Sequence, residues 1–370
     1  MKPQDTALSL DTILSKPCRG QSLTAGQISF LLELSHPEQR AKLFRTARNL
    51  RHQYFGNEIF LYGFLYVSTY CRNDCTFCFF RRSNSTSPRY RKSIQQIVSA
   101  AVRLADAGVH LIDLTLGEDP ALFDSPGDKF AHLVELVTAV SKATESVLMV
   151  SPGVMADHVL AQLGQAGTTW YACYQETHQR RLFDRLRPGQ NFDTRLEAKV
   201  TAHRLGLLIE EGLLCGVGET TSDIVESMEV MRRLDADQIR VMNFVPQPQT
   251  PMAGHAPADP HKEMLIIAVM RLVFPDRLIP ASLDVDGLSG LKSRLDAGAN
   301  VVTSIVPPGR GLAGVARPDL DIDNGRRTTA AVQAVLKDCD LQPAGTAAYR
   351  AWTTRRRNMI SGNGLGRKIA

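Results

Sequence analysis

From residue 59 onward the chain alternates short apolar runs with amphipathic stretches, and few folds accept that alternation. The apolar runs fall at residues 59–67, 110–116, 146–150, 168–173, 207–214, 238–244, 277–281 and 300–303. Between them the spacing turns helical: Ile94, Ile97, Val98, Ala101, Val102 and Ala105 share one face, ended by Gly108, and Phe130, Leu133, Val134, Val137 and Val140 share another. Buried strands alternating with helices are the pattern of a parallel sheet with helical crossovers. Eight strand–helix units match a closed barrel of about 250 residues. An open doubly wound sheet would print a similar string, so closure is inferred from the count. The expected architecture is α/β: a single (βα)8 TIM-type barrel over residues 59–310, preceded by an N-terminal helical extension (1–58). A C-terminal helical segment with a basic tail follows (311–370). Residues 22–55 carry the extension's helices, with Leu31, Leu32 and Leu34 in one and Leu43, Phe44 and Leu50 in another. Pro246, Pro248, Pro251, Pro257 and Pro260 make residues 245–262 a long loop on the face where barrels keep their active sites. There is no repeat beyond the βα unit and no low-complexity segment.

A chain of 370 residues that is 44% hydrophobic can bury a large core. Its net charge of +5 is well mixed along the chain, so no nucleic-acid partner is expected. The run Arg355, Arg356, Arg357 reads as a solvated, partly mobile tail. Residues 1–11 are polar and lack the apolar segment of an export signal. The apolar stretch 264–274 is broken by Arg271 and too short for a bilayer. The expectation is a soluble, cytoplasmic protein with no membrane partner, and a monomer.

Seven cysteines in a chain this long do not make a disulfide scaffold, and three of them fall within eight residues: Cys71, Cys75 and Cys78, directly after the first strand. Three thiolates in one loop can ligate three irons of a 4Fe-4S cube and leave the fourth open to a small molecule. Zinc is the rival metal, but a structural zinc site wants four ligands, usually as two separated pairs, and no second pair exists. His110 or His132 would complete one only by an accident of folding.

The spacing C-x3-C-x2-C, with the aromatic Phe77 before the last cysteine, resembles the radical S-adenosylmethionine (SAM) superfamily. Further segments in chain order match its biotin synthase-like branch. Gly117-Glu118-Asp119 resembles the segment that receives the SAM amino group. Glu176 and Arg195 match positions that contact SAM, the first on its sulfonium or ribose side and the second as a two-pronged grip on the carboxylate. Gly216 and Gly218 resemble the glycine-rich segment that lets adenine approach the backbone. The resemblance spans residues 25–340 and implies one 4Fe-4S cluster, SAM as cofactor and an external electron donor. No protein side chain beyond the cluster and the SAM-derived radical is implied to be catalytic. Cys173 and Cys215 read as small core residues rather than ligands of a second cluster, and Cys18 and Cys339 lie outside the barrel.

Charged residues also interrupt strands that should line an apolar barrel: Asp113 in the second, Arg240 in the sixth, with Ser282 and Asp284 beyond Pro280. Inward alternation points them at one cavity, where unpartnered charges cost several kcal/mol. A zwitterion with an extra ammonium group would pair all of them, and so would a structural Arg–Asp plug. The stretch from Cys71 to Asn84 is most similar to the methylornithine synthases. That resemblance implies isomerisation of L-lysine to (3R)-3-methyl-D-ornithine, the first step of pyrrolysine biosynthesis. A 5′-deoxyadenosyl radical would remove a hydrogen from C4 of lysine. Arg240 would hold the substrate carboxylate, with Asp113, Ser282 and Asp284 near the amino groups. Two alternatives stay open at this point: a hydrogenase-maturase-like enzyme with another small substrate, and a non-enzymatic iron–sulfur protein for sensing or electron transfer.

Overall fold

The computed structural model describes residues 9–123, 130–307 and 327–362. Eight parallel strands form the barrel: β1 (Glu58–Ser68), β2 (Leu111–Leu116), β3 (Val147–Ser151), β4 (Thr168–Ala172), β5 (Leu208–Cys215), β6 (Gln238–Asn243), β7 (Pro280–Ser282) and β8 (Val301–Ile305). Their order is β6-β5-β4-β3-β2-β1-β8-β7. The seam between β6 and β7 is joined by two backbone bonds: Ile239 N–H donates to Leu278 O at 3.0 Å, and Leu278 N–H donates to Asp237 O at 3.2 Å. The sheet thus closes, but β7 begins three residues later than the apolar run 277–281 suggests. Leu278 contributes a single bridge and the strand proper starts at Pro280, whose missing N–H cannot join the ladder.

Most crossover helices sit where their periodicity places them. Ser93 and Gln96 form a reciprocal capping box at the start of the helix Ile94–Asp106, which buries Ile97, Ala100, Ala101 and Leu104. The helix Ala131–Thr144 buries Leu133, Leu136, Val137 and Val140. Two helices, Ala25–Leu32 and Pro37–Phe55, precede the barrel, and a third, Leu10–Cys18, precedes them, inside the expected extension but outside residues 22–55, where its helices were read; it buries Ile13 and Leu14. Residues 245–258 carry no helix or strand, and the next helix starts at Pro260. No helix among the described residues is long and apolar enough to cross a membrane.

The bottom of the barrel is sealed by its own C-terminus. A two-residue strand, β9 (Gln342–Pro343), adds to the start of β1, and the helix Thr346–Gly362 then caps the opening. Tyr349 and Trp352 join Phe60, Tyr62, Leu111, Met149 and Trp170 in one buried cluster. The indoles of Trp170 and Trp352 lie parallel, 6.0 Å apart, and the hydroxyls of Tyr62 and Tyr349 are 2.7 Å apart. His110 accepts from Leu61 N–H through Nδ1 and so donates from Nε2 to Ala344 O, both at 2.8 Å, which makes it part of this closure. The run at 355–357 is therefore not a free tail. Arg356 is buried, and its guanidinium binds the buried Asp237 at 2.7 Å, while Arg355 and Arg357 are exposed. Residues 363–370, the end of that expected tail, lie outside the described residues.

Trp352→Ala should remove the keystone of this seal. The loss is expected to be about 3–5 kcal/mol, as for other buried tryptophans. It should appear as a lower urea midpoint with an unchanged slope, and iron binding at the opposite end should survive wherever the chain stays folded. A midpoint equal to wild type would mean the helix packs against a barrel already stable without it.

Candidate active site

The loop from Ser68 to Ile94 crosses the open end of the barrel and is held by its own polar groups. The Arg89 guanidinium donates to the carbonyls of Thr69, Phe80, Arg81 and Asn84 at 2.5–3.3 Å. Asn84 Nδ2 donates to Phe79 O at 2.9 Å and to Pro248 O at 3.2 Å, tying the loop to the proline-rich segment after β6. Inside this frame Cys71, Cys75 and Cys78 all line one cavity. Burial and the two neighbouring thiols push the Cys78 thiol up to about 12, and burial raises Cys71. Thiols so disfavoured as anions ionise readily only when a cation binds them. Among the described residues no group of three or more His, Cys, Asp or Glu converges as a single metal ion would need. The three cysteines share the cavity lining without converging on one point, which suits the separate irons of a cube. Gly117 closes over Cys71: a Cβ there would lie 2.8 Å from Cys71 Cβ and 3.0 Å from its sulfur. The donor set and this cradle fit a 4Fe-4S cluster.

Above the barrel floor, the cavity of about 270 Å³ is ringed by Phe77, Gly117, Glu118, Glu176, Arg187 and Arg195. Glu118 is buried and accepts from Arg72 Nε at 3.0 Å and Val154 N–H at 3.2 Å. Arg195 donates through Nε to Tyr174 O at 2.8 Å and keeps Nη1 3.7 Å from Glu118. Glu176 holds a left-handed backbone (φ 67°) and accepts from Arg187 Nη2 at 2.7 Å. These residues fit a zwitterionic cofactor beside the cluster.

Three of the expected cofactor contacts are placed elsewhere. Asp119 does not line the cavity: its carboxylate accepts from Ser68 at 2.5 Å, from Arg91 twice at 2.7 Å and from Ala121 N–H at 2.9 Å, so every lone pair is spent on the loop itself. Gly216 and Gly218 also lie off the cavity wall. The close approach at Gly216 is of Ala258, whose Cβ a side chain would meet at 2.3 Å, and the amides of Gly216 and Val217 turn to Glu219.

The cavity floor gathers Asp113, Arg240 and Asp284 around one space, as inward alternation requires. Ser282 stays beneath them, outside the lining, and accepts from Asp284 N–H at 3.2 Å. Ser151 donates to Asp113 at 2.8 Å, yet burial still pushes that carboxyl up to about 7, with Glu210 adding to the rise. Arg240 donates to Glu210 at 2.6 Å; burial alone would weaken its charge, but Glu210 overrides and holds it cationic. Asp284 accepts from Ser304 at 2.7 Å and from Arg327 at 2.8 Å. Glu210, Arg327, Arg187 and Gln190 were not singled out from the sequence. Glu210-Glu211 inside an apolar strand was a visible signal; Arg187, Gln190 and Arg327 sit in connections where an isolated polar residue carries none. Cys173 reaches the cavity wall rather than only the core, while Cys215 is buried with its sulfur 2.9 Å from Asn243 Oδ1.

The model of the radical SAM superfamily matches residues 65–231. The 3-methylornithine synthase of Methanosarcina barkeri is 40% identical over 341 residues, covering 92% of this chain and 96% of that protein. The hydrogenase maturase subunit HydE of Thermotoga maritima is 29% identical over 263 residues, 70% of this chain and 74% of that one. A crystal structure of methylornithine synthase (PylB) superposes with a TM-score of 0.87 at 39% identity, over 92% of this chain and 99% of that one.

The Asp113 carboxyl yields a signed pH effect. Its folded pKa, about 7, lies above the ordinary 3.8, so between those values the folded chain keeps a proton that the unfolded chain releases. Stability falls as pH rises through that window and stays reduced above it. Asp113→Asn lacks the effect. In the absence of any amine ligand, its melting temperature relative to wild type should climb between about pH 4 and pH 7 and level off above. A difference that stays flat across that range would show that burial does not govern this group.

Proposed function

The chain belongs to the radical SAM superfamily, and within it to the family of the 3-methylornithine synthases; from that premise we propose that it isomerises L-lysine to (3R)-3-methyl-D-ornithine, the opening step of pyrrolysine biosynthesis. The carrying observation is the charge on the cavity floor. Asp113, Asp284 and Arg240 line it, with Glu210 bonded to Arg240 and Arg327 bonded to Asp284 behind them, so three acids meet two guanidiniums and the acid in excess, Asp113, is held protonated by burial up to about pH 7. Lysine, with two ammonium groups and one carboxylate, brings the single positive charge that balances it. A neutral zwitterion would leave Asp113 holding its proton, with no ammonium to take that proton's place.

The side chains divide the work by position. Cys71, Cys75 and Cys78 would hold the cluster, while Glu118, Glu176 and Arg195 would hold SAM by its amino group, ribose side and carboxylate. When bound, the cluster and SAM together would supply one-electron chemistry and a SAM-derived hydrogen-abstracting radical, which no side chain provides. Arg240, oriented by Glu210, would receive the lysine carboxylate through its remaining N–H groups. Asp113 and Asp284 would take the ammonium groups, Asp284 sharing its charge with Arg327 and Ser282 setting its backbone. An ammonium against Asp113 lowers that carboxyl's pKa, so binding near pH 6 should release a proton. Phe64, Tyr66, Phe80 and Leu116 complete the wall and keep water from reactive fragments.

A maturase-like activity has less support, since the relative of that name matches less of the chain at lower identity. A purely electron-transferring protein would not need a charged chamber beyond its cluster. An external electron donor, a cytoplasmic setting and a monomeric state complete this reading; among the described residues only Phe30, Tyr54, Leu205 and Met359 are large, apolar and exposed, which supports the last.

Anaerobically reconstituted protein given lysine, SAM and a reductant should form methylornithine, with about four irons bound. Alanine at Cys71, Cys75 or Cys78 should abolish both. Asp113→Asn and Asp284→Asn should each lower turnover on the order of thirtyfold or more, with iron content intact. Norleucine, lacking the terminal ammonium, should be a poor substrate and should bind without proton release. Equal turnover of norleucine and lysine, or full activity in both Asn variants, would end the lysine assignment.

A further inference from the structure

Two N–H donors converge on a single cysteine sulfur. Gln190 Nε2 lies 3.1 Å from Cys75 Sγ and Arg187 Nη1 lies 3.4 Å from it. Among the described residues no side-chain donor of this kind lies on Cys71 or Cys78. Arg187 is the buried residue that ends the helix Arg180–Leu186, with its backbone N–H bonded to Phe183 O at 2.7 Å. Its other terminal nitrogen holds Glu176, and its guanidinium sits 5.4 Å from the centre of the Phe77 ring. Gln190 in turn accepts from Arg187 and from Arg195, each at 3.4 Å. The backbone between them carries Pro188 and Gly189 (φ 76°), a turn that presents both side chains to the same sulfur.

We propose that Arg187 and Gln190 are positioning residues that set the reduction potential of the cluster through the sulfur of Cys75, with Arg187 joining that sulfur to Glu176. A reduced cluster carries one more negative charge than the oxidised form. N–H groups aimed at a ligating sulfur, and a guanidinium held beside it in a dry site, stabilise that extra charge and raise the potential. Removing either should make the cluster harder to reduce. A role limited to holding the fold would instead change iron content or stability and leave the potential of the bound cluster alone. The inference rests on the cluster reading and not on the identity of the substrate.

The test is an electron-paramagnetic-resonance redox titration of reconstituted enzyme with iron counted in every sample. Gln190→Glu replaces the amide with an isosteric group that cannot donate when ionised, and Arg187→Met removes both charge and donor. Each should retain about four irons, and each should lower the reduced-to-oxidised ratio at a fixed potential by roughly tenfold, equal to about 59 mV for one electron. Arg187→Lys, which keeps the charge, should recover much of the Arg187→Met shift. Arg180→Gln on the exposed face of the same helix should titrate as wild type. Should Arg187→Met fail to hold its cluster, Gln190→Glu decides alone. Four irons with an unmoved potential in Gln190→Glu, or loss of the cluster in every variant including Arg187→Lys, would overturn the proposal. A wild-type protein that bound no such cluster would remove the reading it rests on, and this one with it.

Discussion

The structure depends on keeping charge inside a parallel barrel without leaving it unpaired. Strand β5 carries Glu210 and Glu211 side by side, and alternation sends one to each face. Glu211 points to the helices, where burial alone would raise its pKa; the Lys199 ammonium bonded to it overrides burial and holds it ionised below the usual carboxylate range. Glu210 points inward and is met by Arg240 from the neighbouring strand. Breaking such a buried pair typically costs 3–5 kcal/mol, so both faces of β5 are fixed before any ligand arrives. The inner pair also decides how a ligand must look, because Arg240 reaches the cavity already turned by its acid.

That arrangement needs a floor beneath it. The lower half of the barrel is filled by aromatic side chains and shut by the C-terminal helix, whose Arg356 reaches Asp237 at the foot of β6. Access is then confined to the upper end, where the cysteine loop and the proline-rich segment meet through Asn84. One end of the barrel carries stability and the other carries chemistry, and the charged layer of Asp113, Glu210 and Arg240 lies between the two.

Much of this was legible from residues alone, for identifiable reasons. The eight strands showed because strands buried on both faces print as unbroken apolar runs, against which Asp113 and Arg240 stand out. The cysteine triplet showed because its members are local in sequence. Partners supplied from distant segments did not show: Arg327 on Asp284, Glu210 on Arg240, and Arg356 on Asp237 are separated by 43, 30 and 119 positions. For that reason the basic run at 355–357 reads as solvated when its middle residue is buried. Asp119 misled for the opposite reason. It adjoins a residue that does reach the cavity, and nothing in a linear string says that Ser68, Arg91 and Ala121 have already saturated its carboxylate.

At the mouth of the cavity the same principle of compensation becomes a belt. Glu118, Arg195, Gln190, Arg187 and Glu176 follow one another with successive separations of 3.7, 3.4, 3.4 and 2.7 Å. Acid and base alternate around a neutral amide, so each charge is stabilised by the next, and the low local dielectric strengthens every link. A zwitterionic cofactor seated on this belt would exchange its own charges for some of those links and leave no group bare. Gln190 is the hinge of the arrangement, because one amide accepts from both arginines and donates to Cys75. The side chains proposed for the cofactor and the cysteine proposed as a cluster ligand are thereby parts of one hydrogen-bonded unit, and a ligand that displaced either carboxylate would alter the field at the cysteine sulfur.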